Sequence, residues 1–329
     1  MPQYGVEIAG TGSYVPDRVL SNRDLERMVD TSDEWIVART GIRERRIADK
    51  GEPTSALGAE AAKRALEKAN VQAEDLDFII AATLSPDTPF PNTGCHIQQR
   101  IGAPNAACFS IEAACSGFLY AVNIGADMIR CGTATNILVV AAEKMSTLVD
   151  WTDRNTCVLF GDGAGAVVLR KTTAGKDALL ACKLGANGNF VDLLKVPAGG
   201  TAVPLNHKLL DRRMNCIHMS GREIFKLAVN VMSDTSEEVL QMAGMPKEEV
   251  RWLIPHQANT RIIKAVGKRI GIPEDRVFIN VDRYGNTSAA SIPVALDELE
   301  RTDQLQQGDC LLMTAFGGGL TWGAGLLRW

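Results

Sequence analysis

Three residues stand where an α/β protein can do chemistry. Cys115 lies in Ala113-Ala114-Cys115-Ser116-Gly117, between a predicted strand and a predicted helix. Small neighbours let the chain turn sharply and leave the thiol exposed. A helix N-terminus favours an anion there and lowers a thiol pKa toward neutrality. This is the physics of a nucleophile elbow with sulfur in place of oxygen. A buried, inert cysteine is the competing reading. His256 follows the apolar run Leu253-Ile254-Pro255 and opens the polar cluster His256-Gln257-Ala258-Asn259. Strand ends of this kind are where α/β folds place sites, although a lone histidine is more often structural. Asn286 sits in Tyr284-Gly285-Asn286-Thr287-Ser288, a turn that matches the one around Cys115. Its plain reading is a cap on the helix starting near Ser288.

Two glycine-rich runs complete the inventory. Gly161-Asp162-Gly163-Ala164-Gly165 has the wrong spacing for a dinucleotide loop, and it precedes an apolar strand rather than following one. Nicotinamide binding is therefore not expected. Phe316-Gly317-Gly318-Gly319 can bring backbone N–H groups close to a site, or simply turn between two buried strands, Leu311–Ala315 and Thr321–Leu327.

The elements that must position these residues alternate. Strands are predicted over Tyr4–Gly10, Asp77–Leu84, Ala107–Ile111 and Asn136–Ala142. Helices are predicted over Ala56–Asn70, Thr93–Ile101 and Cys115–Cys131, and Ser21-Asn22-Arg23-Asp24 carries capping-box spacing. The alternation implies an α/β protein with largely parallel sheets. The second half repeats the first in order. Arg100-Ile101-Gly102-Ala103-Pro104 is echoed by Arg269-Ile270-Gly271-Ile272-Pro273, each preceded by a strand and a helix. Each is followed by a short strand, Cys108–Ile111 or Val277–Asn280, and then by the turn carrying Cys115 or Asn286. Two related halves are expected, 1–170 and 171–329, joined near Lys171–Asp177.

Composition narrows the class. The 329 residues are 46% apolar and 22% charged with a net charge of −4, enough for a large core and unsuited to a general nucleic-acid coat. No apolar run approaches the length of a membrane span. Eight cysteines without a CxxC pair, and four histidines without HExxH, argue for reduced thiols and against a metal site. The N-terminal residues lack a basic start and an apolar secretion core, so a cytoplasmic protein is expected.

The constellation Ala113-Ala114-Cys115-Ser116-Gly117-Phe118, Phe160–Ala166, His256-Gln257-Ala258-Asn259, Gly285-Asn286-Thr287-Ser288 and Ala315–Gly323 resembles the β-ketoacyl-[acyl-carrier-protein] synthase III family, from Ile8 to Trp329. One departure is Ser110, where many relatives carry Asp. The resemblance implies a thiolase-like fold, two duplicated halves in a five-layered α-β-α-β-α arrangement, usually a homodimer. It implies an acyltransferase that starts bacterial fatty-acid synthesis. Cys115 would take the acyl group of a short acyl-CoA, typically acetyl-CoA. Malonyl-acyl carrier protein would then lose CO₂ and condense with it. His256 and Asn286 would hold the enolate, and the backbone N–H groups of Cys115 and Gly318 would form an oxyanion hole. Coenzyme A enters as substrate, with no cofactor and no metal.

By the same resemblance, Trp35 and Arg154 would sandwich the adenine, with Arg39 nearby and Asn259 on the pantetheine arm. Phe316 would bound the acyl pocket, and Phe90 would reach across a dimer to bound the partner's. Carrier protein is acidic. Arg261, Lys264 and Lys268 recur at i, i+3 and i+7 and would share a helix face, with Lys226 nearby, as its dock. A solvated helix face is the ordinary reading of those charges. Rival readings are a related acyltransferase with another acceptor, a nicotinamide oxidoreductase and a non-catalytic protein with the same fold.

Overall fold

The computed structural model describes residues 3–329. Nine strands build two main sheets. The first joins β1 (Gly5–Tyr14), β2 (Phe78–Ala82), β3 (Ala107–Ile111), β4 (Asn136–Lys144) and β5 (Asp162–Thr172) in the order β1-β5-β4-β2-β3. The second joins β6 (Leu179–Ala186), β7 (Val250–Pro255), β8 (Cys310–Gly317) and β9 (Thr321–Arg328) in the order β7-β8-β9-β6.

The central strands are buried on both faces, and the side-chain period of two divides their residues between two cores. In the first sheet Ile79, Ala81, Leu138, Val140, Ala164, Ala166 and Val168 point to one core. Their neighbours Ile80, Ala82, Ile137, Val139, Val167 and Leu169 point to another. The first core is covered by α2 (Thr54–Ala69), which packs on β1, β5 and α3 (Thr93–Ile101). The second core is the middle of the molecule. It holds α4 (Gly117–Arg130) and α7 (Ser291–Arg301), which touch both sheets. Beyond the second sheet lie α5 (Gly221–Ala243) and α6 (Thr260–Ile270). The result is five layers, α-β-α-β-α. Helix α1 (Asp33–Thr40) packs beside α6.

Local signals explain the element ends. Thr93–Ile101 and Ala107–Ile111 fall where the sequence places them; Asn92 caps the first by accepting from the Cys95 N–H. Ser21 and Asp24 close the expected capping box. The predicted helix Cys115–Cys131 instead begins as a tight 3₁₀ turn, Ala114–Ser116, before α4. The Gly161–Ala166 run is mostly the start of β5, so no phosphate-binding helix follows it.

Two expectations are corrected. The sheets are mixed rather than largely parallel: β4-β2-β3 and β7-β8 are parallel, while β1-β5, β5-β4, β8-β9 and β9-β6 are antiparallel. The cause is connectivity, since β8 turns directly into β9 and β4 returns as β5 without a crossing helix. The predicted strand Val277–Asn280 is one bridge, Leu253 to Val277. The Gln257 carboxamide accepts from the Asn280 and Val281 N–H groups at 2.9 and 3.2 Å, so a side chain replaces the ladder.

Close backbone approach fixes the middle layer. A Cβ at Gly165 would lie 2.7 Å from both Pro293 Cβ and the Val294 nitrogen at the start of α7. Overpacking of this kind costs about 1–3 kcal/mol. Gly165→Ala should lower the urea unfolding midpoint accordingly; an unchanged midpoint would show that α7 yields freely.

Candidate active site

The Cys115 turn is held by the second sheet. Thr321 Oγ1 donates to the Ala113 carbonyl at 2.8 Å, and Ser116 Oγ donates to the Thr321 carbonyl at 3.1 Å. Gly317 lies so close that a Cβ there would sit 2.6 Å from the Cys115 nitrogen. The glycine run is therefore needed for contact, and Gly318 follows it into the wall of the site. Ala114 adopts φ +43°, a region non-glycine residues avoid. The matching turn in the second half does the same at Ser288, φ +50°, before the 3₁₀ turn Ser288–Ala290 and α7.

Cys115, His256 and Asn286 line one cavity of about 380 Å³, together with Asn259, Phe316 and Gly318. Its apolar wall includes Leu84, Met145, Ile217, Ile224 and Met232. His256 leaves the end of β7; its N–H donates to the Thr314 carbonyl at 2.7 Å, which ties it to β8. Nδ1 lies 2.7 Å from Ser291 Oγ, leaving Nε2 for the cavity. A hydroxyl both donates and accepts, so Ser291 serves either tautomer. Asn286 is bound at both backbone ends. Its N–H donates to Leu159 at 2.8 Å and its carbonyl accepts from Gly161 at 3.1 Å. Its Oδ1 accepts from the Ser288 N–H at 2.9 Å. The cap expected for Asn286 is thus real, and it leaves the Nδ2 donors free.

Burial governs the charges. The Cys115 thiol, 7% exposed, is pushed up to about 12 by burial, opposed by the Ser288 hydroxyl and aided by the charge of Glu143. The expectations of an exposed thiol and of one lowered toward neutrality are both corrected: the side chain is buried, and desolvation of the thiolate outweighs the helix dipole. Burial also lowers His256 to about 3, so its imidazole is neutral at physiological pH. Glu143, at the end of β4, is raised by burial to about 7 although Ser85, Thr83 and Leu84 donate to it. Ser288 Oγ reaches toward both Cys115 and Glu143 without closing a well-aligned hydrogen bond to either. Ser291, Glu143 and Ser288 were missing from the sequence reading as site residues. Only Ser288, inside the quoted turn, left a signal there.

The remaining sites divide. The Arg39 and Arg154 guanidinium carbons lie 4.4 and 5.1 Å from the centre of the Trp35 ring. That cluster is assembled, but outside the cavity lining, on and beside α1. Asn259 caps α6 by accepting from the Ile262 N–H at 2.9 Å, and α1 packs on α6, so cluster and cavity are neighbours. Phe316 is in the wall. Phe90 is 86% exposed and lies outside the lining of its own chain's cavity. Arg261, Lys264, Lys268 and Lys226 are all exposed. Lys264 is not a free cation, because it pairs with Glu274. Arg261 lies 5.5 Å over the Phe225 ring, which borders the cavity. Among the described residues there is no cluster suited to a metal ion, and no helix is long and apolar enough to cross a membrane.

Known proteins share this sequence and fold. Residues 109–188 match the family model for 3-oxoacyl-[acyl-carrier-protein (ACP)] synthase III, and residues 240–329 match that of its C-terminal region. The β-ketoacyl-[acyl-carrier-protein] synthase III of Roseiflexus castenholzii is 54% identical over 98% of this chain and 97% of its own. That of Caldanaerobacter subterraneus subsp. tengcongensis is 51% identical with the same coverage. The crystal structure of 3-oxoacyl-[acyl-carrier-protein] synthase III from Aquifex aeolicus VF5 superposes with a TM-score of 0.91 at 50% identity, covering 99% of this chain and 100% of that one. The chain belongs to the β-ketoacyl-[acyl-carrier-protein] synthase III family, with its thiolase-like fold.

Proposed function

We propose that Cys115, His256 and Asn286 carry the decarboxylative condensation of a short acyl-CoA with malonyl-acyl carrier protein. The observation that carries the reading is their convergence on one apolar cavity beside the Trp35–Arg39–Arg154 cluster. The chain is a condensing acyltransferase of fatty-acid synthesis by its family. A solved relative from the R1128 polyketide pathway, a priming β-ketosynthase, is 33% identical, below the 50%, 51% and 54% of the three synthase III relatives named above, so fatty-acid synthesis is the better supported reading.

Thiol and imidazole rest as a neutral pair. Attack on the thioester couples loss of the Cys115 proton, to His256 Nε2, with expulsion of CoA sulfur, which takes that proton. The acyl-enzyme splits a difficult transfer into two easier ones. N–H groups of Cys115 and Gly318 serve the tetrahedral oxyanion. In the second step the malonyl thioester loses CO₂. Its enolate oxygen is held by two neutral donors, Asn286 Nδ2 and His256 Nε2–H, the latter in the tautomer whose Nδ1 accepts from Ser291 Oγ. The carbanion attacks the acyl carbonyl, and Cys115 leaves as a thiolate that takes one proton from solvent to restore the neutral thiol. Neutral donors suit this step, because the incoming carboxylate leaves as CO₂ and a fixed cation would hold it back. No metal or redox cofactor is called for.

Coenzyme A adenine would rest against Trp35 and Arg154, where flat cationic and indole faces suit a purine. Phe316 bounds the acyl pocket. Exposed Phe90 fits a residue that completes a second copy's site in a homodimer. Arg261, Lys268 and Lys226 are the dock for the acidic carrier protein, with Lys264 weakened by Glu274.

Acetyl label from acetyl-CoA should become attached to residue 115 and not in Cys115→Ala. Asn286→Ala should slow condensation by about 10²–10³, far more than it slows loading; equal loss in both half-reactions would remove Asn286 from the enolate. Alkylation of Cys115 by iodoacetamide in the substrate-free enzyme should keep climbing past pH 9, because the thiolate accumulates only toward 12. A plateau near pH 7 would show the helix dipole winning over burial. Arg261→Glu with Lys268→Glu should raise KM for malonyl-carrier protein and leave acyl-CoA loading alone, and an unchanged KM would eliminate the dock.

A further inference from the structure

Arg45 lies in the short strand Glu44–Arg46 and is fully buried. Its charge is met only by neutral oxygens: Nη1 donates to the Leu20 carbonyl at 3.1 Å and to Asn22 Oδ1 at 2.9 Å, and Nη2 donates to the Val158 carbonyl at 2.7 Å. Its Nε has no hydrogen-bond partner. Burial lowers the guanidinium to about 10, which still leaves it charged at neutral pH. A buried cation without a carboxylate is costly and calls for a structural reason.

That reason lies directly above it. Val158 leads into Leu159-Phe160-Gly161, the segment that grips Asn286 on both sides. Phe160 and Asn286 form a bridge; the Asn286 N–H donates to Leu159 and the Gly161 N–H donates to Asn286. The Arg45 stem is the floor of this bridge, since a Cβ at either Gly161 or Gly285 would lie 3.1 Å from Arg45 Cβ. The neighbouring backbone is tied down too, by the Arg43 N–H donating to the Asp282 carbonyl at 2.9 Å. Thus Arg45 stands beneath both chains whose spacing sets where the Asn286 carboxamide points. It does not itself line the cavity.

We propose that Arg45 is a positioning residue for Asn286: by fixing Val158 and filling the floor under the Phe160–Asn286 bridge, it holds the Asn286 Nδ2 donors where the enolate forms. The inference rests on the enolate role given above to Asn286. A displacement of about 1 Å at such a donor can cost on the order of 10²-fold, and it should do so only in the step that uses the donor.

The test separates the half-reactions in Arg45→Met and Arg45→Lys. Loading is read as acetyl attached to Cys115 from acetyl-CoA. Condensation is read as CO₂ released when the acetyl-enzyme meets malonyl-carrier protein. Expected are loading within about twofold of the parent and condensation down by roughly ten- to a hundredfold. Arg45→Lys keeps cation and stem but has one nitrogen, too few to bridge Asn22 and Val158; its condensation should lie between parent and Arg45→Met, and it carries the test alone should Arg45→Met fail to fold. In Asn286→Ala, adding Arg45→Lys should cost nothing further in condensation, because the positioned group is gone. Parallel loss of loading and condensation, full condensation in both variants, or an additive loss on Asn286→Ala would each overturn the proposal. Failure of loading in the parent would instead sink the nucleophile assignment, and full condensation by Asn286→Ala would sink the enolate role and this inference with it.

Discussion

Desolvation is the constraint from which the site follows. The Cys115 thiol and the His256 imidazole share one cavity walled by Leu84, Ile217, Ile224 and Met232, and the Glu143 carboxyl is buried near the thiol. In such surroundings each charged form is penalised: Cys115 and Glu143 rise, and His256 falls. Thiol and imidazole therefore both rest neutral at physiological pH. In the proposed reaction charge develops beside them with the substrate, as an oxyanion, an enolate or a departing thiolate. Donors that are already placed and neutral then act at full strength, because the medium screens them little.

Holding those donors requires backbone rather than long side chains. Cys115 is fixed through Ala113, Ser116 and Thr321, His256 through Thr314 and Ser291, and Asn286 through Leu159, Gly161 and Ser288. Apart from the local bond of Asn286 to Ser288, these supports cross between distant parts of the chain. The second sheet approaches the Cys115 backbone this closely because Gly317 has no Cβ. This is why the five layers matter for the chemistry: α4 and α7 start at the cavity and end in a core shared by both sheets, so neither turn moves alone.

Much of this could be read in the chain. The residues Cys115, His256 and Asn286 were visible from small-residue turns and a strand end, and the helix and strand around Cys108 were placed to the residue. The thiol's protonation was not legible. A sequence shows the helix that would stabilise a thiolate but not the apolar wall that opposes it, which comes from Ile217, Ile224 and Met232, far away in the chain. Ser291 was hidden for the same reason, since its place beside His256 is set by α7 packing on the sheets. Val277–Asn280 misled because its apolar pattern is that of a strand, while Gln257 takes the N–H groups a ladder would need. Lys264 showed its spacing along α6 but not Glu274 beyond the helix end.

The two halves also show how one backbone device came to serve two roles. In each, a non-glycine residue with positive φ, Ala114 or Ser288, enters a 3₁₀ turn that runs into a middle-layer helix. Such a conformation costs of order 1–3 kcal/mol. In the first half the turn presents Cys115 itself, one residue after the strained position. In the second it presents Asn286, two residues before it, with Oδ1 capping the Ser288 N–H. The strained residues themselves differ in kind. Ala114 has no polar atom to place, so its conformation serves only the path of the chain. Ser288 brings a buried hydroxyl toward Cys115 and Glu143. The geometry is shared, and the different roles proposed for Cys115 and Asn286 follow from which side chain each copy of the turn carries.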